Sequence, residues 1–248
     1  MSRVRIDQLL VARGAAPTRA RAQARVLAGE VFVAGVRVDK AGTLVAEDAA
    51  VEVRGAAHPY VSRGGVKLEG ALEGFAVDVH GLRCLDLGAS TGGFTDCLLQ
   101  RGAASVVAVD VGYGQLAHKL RVDPRVVVLE RTNARTLDLA DLAALGGPAD
   151  LTVVDASFIG LAKLADAIAR CTQPAGQLLS LVKPQFEVGR AEASRGKGVV
   201  RDAAVRAEAI AAATQSLRAA GFEVLGVRDC VLPGPKGNVE AFVHARRA

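Results

Sequence analysis

A glycine-rich turn between an apolar run and a helical pattern constrains this chain more than any other feature. The run Leu82–Leu87 leads into Gly88-Ala89-Ser90-Thr91-Gly92-Gly93, and a helical pattern follows from Phe94. A strand, a tight loop and a helix N-terminus in this order cradle nucleotide-like ligands, because glycine lets backbone N–H groups approach the ligand closely. The spacing departs from G-x-G-x-x-G, which makes a dinucleotide the weaker hypothesis. An ordinary β–α turn is the alternative interpretation.

Strand and helix patterns alternate beyond this point, which predicts a seven-stranded, doubly wound α/β sheet. The predicted strands are Leu82–Leu87, Ser105–Asp110, Val126–Leu129, Leu151–Val154, Gln177–Val182, Glu223–Val227 and Val239–His244. The predicted helices include Lys67–Phe75, Phe94–Arg101, Leu161–Cys171 and Ala203–Ala220. Ligands of such sheets bind beyond the carboxyl ends of the strands, where the glycine-rich turn falls.

The first 60 residues differ in pattern from the rest of the chain and predict a small α+β unit. Helical patterns at Ile6–Val11 and Arg19–Ala28 precede short β-like pieces at Val31–Val33, Val36–Val38 and Val51–Val53. Arginines dominate the charge here and indicate a phosphate-binding surface, although a solvated arginine face is the alternative. The candidate RNA-binding residues are Arg3, Arg5, Arg19, Arg21 and Arg25, with Arg63 after the linker.

Composition permits a polyanionic partner and disfavours a metal-binding or a membrane-spanning protein. The formal net charge is +5, and the four cysteines show neither a C-x-x-C pair nor the spacing of metal ligands. We therefore expect no metal site, free thiols and a cytoplasmic location. No apolar run reaches the roughly 18 residues that a membrane span needs, so we expect no membrane partner.

Four charged residues stand where an α/β core does not need charge: Lys67, Asp155, Lys183 and Glu240. Asp155 and Lys183 end neighbouring predicted strands, Lys67 opens a helix, and Glu240 lies in the last strand. Because strand ends meet at one edge, Asp155 and Lys183 should project into the crevice beside the glycine-rich turn. Each alone could be a helix cap or a surface charge.

Ordered motifs give the whole chain a family resemblance. S-R-G-G-x-K-L-E, L-D-x-G-A-S-T-G-G-F-T-D, V-D-x-G-Y-G-Q-L, D-x-S-F-I and V-K-P-Q-F-E follow an N-terminal stretch that resembles the S-four RNA-binding domain. This order resembles the TlyA, or hemolysin A, family of ribosomal RNA ribose methyltransferases, whose catalytic domain is like that of the FtsJ/RrmJ enzymes. The resemblance implies an S-four domain over residues 1–54, a linker over 55–62 and a Rossmann-like methyltransferase domain over 63–248.

The resemblance also implies S-adenosylmethionine as cofactor and ribosomal RNA within ribosomal subunits as partner, with the ribose 2′-hydroxyl of a cytidine as acceptor. We expect the free protein to be a monomer. The implied cofactor-binding residues are Asp86, Gly88, Ser90, Thr91, Gly92, Gly93, Phe94, Asp110 and Asn133. Asp110 would accept hydrogen bonds from the ribose hydroxyls, and Tyr113 and Gln115 could border the adenine.

The Lys-Asp-Lys-Glu tetrad of FtsJ-like enzymes maps onto Lys67, Asp155, Lys183 and Glu240. A ribose hydroxyl is a weak acid and needs a positioned base, which a lysine can supply. We expect Lys183 to be that base, Asp155 and Lys67 to hold the hydroxyl in line, and Glu240 to orient the lysines.

Two other functions stay open at this stage. The older family name suggests a membrane-active cytolysin, and the fold would also suit a non-catalytic RNA-binding assembly factor. The stretch Pro184–Asp202 is predicted to be a structureless lid whose Arg190, Arg195, Lys197 and Arg201 contact RNA phosphates.

Overall fold

The computed structural model describes residues 2–27, 29–54, 58–143, 146–188, 198–234 and 236–248. These residues form two compact units, Met1–Arg63 and Gly64–Ala248. The predicted linker residues 55–57 and the predicted lid residues Arg190, Arg195 and Lys197 lie outside the described residues.

The N-terminal unit is built from two helices and five short strands. Its elements are β1 (Arg3–Arg5), α1 (Ile6–Ala12), α2 (Arg19–Leu27), β2 (Val31–Val33), β3 (Val36–Arg37), β4 (Leu44–Ala46) and β5 (Val51–Val53). Strand β1 pairs antiparallel with β4, and a separate sheet has the order β3-β2-β5. The apolar faces of both helices close a small core around Ile6, Leu10, Val26 and Val31. The prediction missed the β1–β4 pair, because three-residue strands carry too few positions for an alternating pattern.

The larger unit is a three-layer α/β domain. Its elements are α3 (Arg63–Gly74), β6 (Arg83–Leu87), α4 (Gly93–Gln100), β7 (Ser105–Val109), α5 (His118–Arg121), β8 (Val126–Leu129), α6 (Leu139–Ala143), β9 (Ala149–Val154), α7 (Ala165–Cys171), β10 (Thr172–Val182), α8 (Pro184–Glu187), α9 (Ala203–Ala219), β11 (Phe222–Asp229) and β12 (Ala241–Arg247). A short 3₁₀ turn covers Leu161–Lys163.

One seven-stranded sheet runs through this unit in the order β11-β12-β10-β9-β6-β7-β8. Strands β6 to β10 pair in parallel, and β12 is antiparallel to both β10 and β11. The central strands are buried on both faces, which is why they read as nearly continuous apolar runs in the sequence. This arrangement confirms the predicted seven-stranded α/β fold.

Three details of the prediction were wrong. Helix α3 begins at Arg63, so Lys67 lies inside the helix and does not open it. Glu240 directly precedes β12 and does not lie within it. The segment after β10 is not structureless at its start, because Pro184 at the first helical position and the N-cap Lys183 begin the helical turn α8.

Candidate active site

The glycine-rich turn connects β6 to α4 as predicted, and two of its glycines are required by close packing. Gly88 has a φ of +88°, and a Cβ there would come within 2.8 Å of the backbone oxygen of Asp155. Gly92 has a φ of +92°, and a Cβ there would overlap the side chains of Leu120 and Leu116. The turn therefore lies tightly between the end of β9 and the segment around α5, with its backbone facing the carboxyl edge of the sheet.

Asp110 follows β7 and organises this turn from the next strand. Its Oδ2 accepts a hydrogen bond from the Ser90 N–H at 2.8 Å, and its Oδ1 accepts one from the Gly112 N–H at 2.7 Å. Ser90 has a φ of +48°, a conformation that is costly for a residue with a side chain and is found at functional turns. A carboxylate has about four acceptor positions, so Asp110 keeps capacity for further donors.

Asp86 lies beneath the turn and is fully buried. Its Oδ2 accepts hydrogen bonds from the backbone N–H and the hydroxyl of Thr95, at 3.0 and 2.7 Å, while its Oδ1 has no partner within the described residues. Burial raises the pKa of Asp86 to about 7, because desolvation disfavours the charged form more than the two hydrogen bonds favour it. The neighbouring Phe94 is also buried and packs against Phe242 at 6.0 Å.

The four predicted tetrad residues form two ion pairs. Lys67 Nζ lies 2.5 Å from Glu240 Oε2, and both side chains are buried. Lys183 Nζ lies 2.6 Å from Asp155 Oδ1 and also donates to the Ser157 hydroxyl at 2.8 Å. Asp155 and Lys183 follow β9 and β10, which pair directly, so their predicted proximity is observed.

The thiol of Cys230 is influenced by charged residues of both ion pairs. Burial raises its pKa, and the charges of Lys67, Glu240 and Asp155 act on it as well.

A cavity of about 480 Å³ is lined by the turn and by the segment that begins at Asp155. Five predicted site residues line it: Gly88, Ser90, Asp110, Asn133 and Asp155. Gln115 and the segment Ala156–Ile159 also line it. The cavity has a volume suited to a nucleoside-sized ligand, and its lining includes both Asp110 and Asp155.

Phe158 is the site residue that the prediction missed. Its side chain is 90 % exposed although it is a large aromatic group at the mouth of the cavity. Its φ is +66°, and its ring lies 5.2 Å from that of Phe186. An exposed aromatic ring on a strained backbone is typical of a functional site. The sequence signals were its place four residues after the end of an apolar strand and its position in the D-x-S-F-I motif that begins at Asp155.

Tyr113 and Arg131 form a second feature near the cavity. The Arg131 guanidinium lies 4.3 Å from the centre of the Tyr113 ring, and both side chains are exposed. Tyr113 is therefore engaged by a cation–π contact beside Gly112, which lines the cavity.

The predicted RNA-binding arginines of the N-terminal unit fall into different environments. Arg5 and Arg19 both lie 3.0 Å from Oδ2 of the buried Asp7, and these contacts hold the pKa of Asp7 far below its usual value. Both guanidinium groups stay substantially exposed, so Asp7 fixes their positions without removing them from the surface. Arg21 instead donates to the backbone oxygens of His58 and Tyr60, so its guanidinium is hydrogen-bonded to the protein's own backbone.

Arg25 and Arg3 differ in the exposure of their side chains. Arg25 lies 4.0 Å from Glu30 and is only about a quarter exposed, whereas Arg3 is exposed in β1. The arginines thus do not form one uniform basic face on α2.

Comparison with known families assigns both parts of the chain. Residues 60–247 match the model of the FtsJ-like methyltransferases, and residues 4–51 match the model of the S-four domain. The chain is therefore an FtsJ-like methyltransferase with an S-four domain at its N-terminal side.

Individual relatives show which family of FtsJ-like methyltransferases the chain belongs to. The 16S/23S rRNA (cytidine-2'-O)-methyltransferase TlyA of Mycobacterium tuberculosis is 50% identical over 245 residues, which cover 98% of this chain and 90% of the relative. Hemolysin A of Brachyspira hyodysenteriae is 39% identical and covers 97% of this chain and 99% of its own length. A solved structure of a hemolysin-named protein from Streptococcus thermophilus matches with a TM-score of 0.78 at 38% identity, covering 100% of this chain and 90% of that one. The chain belongs to the TlyA family.

The older hemolysin name raises the question of membrane insertion. Among the residues that the structure describes, no helix has both the length and the hydrophobicity required to cross a bilayer.

Proposed function

We propose that this protein transfers the methyl group of S-adenosylmethionine to a ribose 2′-hydroxyl of ribosomal RNA, with cytidine as the modified nucleotide. The observation that carries the proposal is a nucleoside-sized cavity lined by both Asp110 and Asp155, with Lys183 paired to Asp155. The M. tuberculosis relative, named as a 16S/23S rRNA (cytidine-2'-O)-methyltransferase, supports the substrate.

The residues that line the cavity suit S-adenosylmethionine. The free acceptor positions of Asp110 match the two ribose hydroxyls, and Asn133 offers an amide to the adenine. Gly88 lets the turn approach the backbone of Asp155 more closely than any side chain would allow. When bound, this cofactor supplies a methyl group that is already activated by its positive sulfur.

The chain itself must then position the hydroxyl and remove its proton. We assign proton acceptance to Nζ of Lys183, which would act as base after losing a proton to solvent and which Asp155 and Ser157 hold in place through contacts of 2.6 and 2.8 Å. Asp155 also orients the hydroxyl, as does Lys67, which Glu240 fixes from a buried position. Alignment of the reacting atoms can supply roughly 7–11 kcal/mol of a barrier, whereas general base catalysis adds about 10²–10⁴-fold.

We assign to Phe158 the support of the target base. Its ring is exposed at the mouth of the cavity, beside the pair that would receive the ribose. Bases stack on exposed aromatic rings with roughly 1–3 kcal/mol each, and an extruded nucleotide loses its neighbours in the RNA stack.

We further propose that residues 1–54 form the S-four RNA-binding domain, 55–62 a linker and 63–248 the catalytic domain. The matched ranges and the two compact units support this division. In this proposal the protein acts as a monomer in the cytoplasm and contacts ribosomal RNA within the subunits through Arg3, Arg5 and Arg19, with Arg63 close to the boundary.

Methyl transfer from tritiated S-adenosylmethionine to purified ribosomal subunits tests the proposal. The wild-type protein should label rRNA, and Lys183→Ala should abolish labelling while it keeps cofactor affinity, because Lys183 acts on the hydroxyl. Ser157→Ala is the matched control, since it removes only one contact of Lys183 and should cost much less. Substantial turnover by the Lys183 variant would remove this residue from the mechanism.

A further inference from the structure

Two neighbouring segments of the catalytic domain begin with tetrad residues. Asp155 opens the segment that follows β9, and Lys183 opens the one that follows β10. The first continues through Phe158 and forms a wall of the cavity, and the second continues into α8. Their relative position therefore determines the geometry of the Asp155–Lys183 pair and the placement of the Phe158 ring.

A second contact joins the two segments beyond the ion pair. The backbone N–H of Leu161 donates to both carboxylate oxygens of Glu187, at 2.9 Å to Oε1 and 3.2 Å to Oε2. Leu161 begins the 3₁₀ turn that ends the first segment, and Glu187 is the last residue of α8. Between these anchor points, the rings of Phe158 and Phe186 pack against each other.

The surroundings of Glu187 leave little freedom for this contact. A Cβ at Gly160 would come within 3.1 Å of Glu187 Oε2 and within 3.3 Å of the Phe186 backbone oxygen. The absence of a side chain at Gly160 thus lets the two segments approach closely. Neither Glu187 nor Gly160 is among the described residues that line the cavity, and the contacts of Glu187 described above are with the protein's own backbone.

The contact depends on an oxygen acceptor more than on a negative charge. Burial raises the pKa of Glu187, and the Leu161 N–H only partly opposes this effect. Because its surroundings disfavour the charged form, the neutral amide of glutamine should be tolerated, and its carbonyl oxygen can still accept from Leu161.

We propose that Glu187 is a positioning residue for methyl transfer, whose carboxylate fixes the segment after β9 to the turn after β10. It thereby holds Phe158 and the Asp155–Lys183 pair in the geometry that receives the acceptor ribose. This inference rests on the proposed function, which supplies the reaction that is being positioned.

Single-turnover methyl transfer to purified ribosomal subunits, at saturating cofactor and enzyme, tests the role of Glu187. Glu187→Ala removes the acceptor and should lower the rate constant roughly 10- to 100-fold, the effect expected of a misplacement of about 1 Å. Glu187→Gln keeps the acceptor and should stay within about threefold of the wild type. The dissociation constant for S-adenosylmethionine should change less than about threefold in both variants, because Asp110 and the glycine-rich turn are untouched.

The rate constant distinguishes a positioning role of Glu187 from a role in folding alone. A purely structural role would lower the amplitude of the reaction by reducing the folded fraction, and would leave the rate constant of the remaining enzyme unchanged. Should Glu187→Ala not fold, Gly160→Ala provides the same test, because its added methyl group displaces the carboxylate while the backbone φ of −76° suits alanine. It should lower the rate constant and leave cofactor affinity unchanged.

Three results would overturn the proposal: an alanine variant with the wild-type rate constant, a glutamine variant as slow as the alanine variant, or a change confined to the amplitude. Each of them requires that the wild-type protein methylates the subunits. Absence of labelling by the wild type would instead reject the proposed function itself.

Discussion

The buried Lys67–Glu240 pair gives the sharpest prediction about how the site is stabilised. Glu240 is fully buried and Lys67 is 8% exposed, so removal of the lysine leaves a buried carboxylate without its ion-pair partner. Breaking a buried ion pair from one side costs about 3–5 kcal/mol of unfolding free energy. Typical domains have only about 5–15 kcal/mol in total, so Lys67→Ala should lose a large part of its stability.

Lys183→Ala is the matched comparison, because it removes a lysine from the other pair of the same site. The Asp155 side chain is 25% exposed, and its carboxylate can recover hydrogen bonds from water. We therefore expect a loss of only about 1–2 kcal/mol. Both variants should lose methyl transfer, but only Lys67→Ala should also lose a large part of its unfolding free energy. The difference in stability therefore distinguishes the roles of the two lysines.

Urea denaturation of the full chain, followed by far-ultraviolet circular dichroism, measures these differences; the sequence contains no tryptophan for a fluorescence assay. The double variant Lys67→Met/Glu240→Leu should regain most of the stability lost in Lys67→Ala, since it leaves no charge buried. Equal destabilisation by the two single lysine variants, or a double variant as unstable as Lys67→Ala, would refute the reasoning.

Three further predictions follow from the cavity and its surroundings. Asp110→Ala should weaken S-adenosylmethionine binding roughly 10- to 100-fold through the loss of charge-assisted hydrogen bonds, and an unchanged dissociation constant in calorimetry would exclude Asp110 as a ligand. Phe158→Ala should raise the activation free energy of methyl transfer by about 1–3 kcal/mol and keep the midpoint of thermal unfolding, because the ring is exposed. An unchanged rate of methyl transfer would rule out stacking of the target base on Phe158. Asp86 binds its proton more tightly in the folded state, so its contribution to stability is greatest below pH 3.8 and is lost as pH rises to about 7. Asp86→Asn should therefore flatten the fall in unfolding free energy across this range, and an unchanged slope in denaturation at several pH values would count against the raised pKa.

Local patterns in the sequence predicted the sheet and one edge of the site. The apolar runs that end at Leu87, Val109, Val154 and Val182 mark the strands correctly, because strands buried on both faces need continuous apolar residues. Parallel neighbours place their ends together, and this is why the sequence alone predicts that Asp155 lies beside Lys183.

Features that depend on distant contacts could not be predicted in the same way. Arg21 matches a basic helix face, yet its guanidinium is drawn to the carbonyl oxygens of His58 and Tyr60, nearly 40 residues away. The exposed ring of Phe158 looks like an ordinary apolar residue in the sequence. The link between Glu187 and Leu161 is likewise a tertiary contact, and no local periodicity announces it.

The central claim is that the Asp155–Lys183 pair directs methylation to a ribose oxygen of ribosomal RNA. Mass spectrometry of nucleosides from subunits treated with the wild-type protein tests it most directly, with Lys183→Ala as control. The account predicts new 2′-O-methylcytidine in rRNA with the wild type and none with the variant. Methylation on a base, or equal 2′-O-methylation by both proteins, would contradict it.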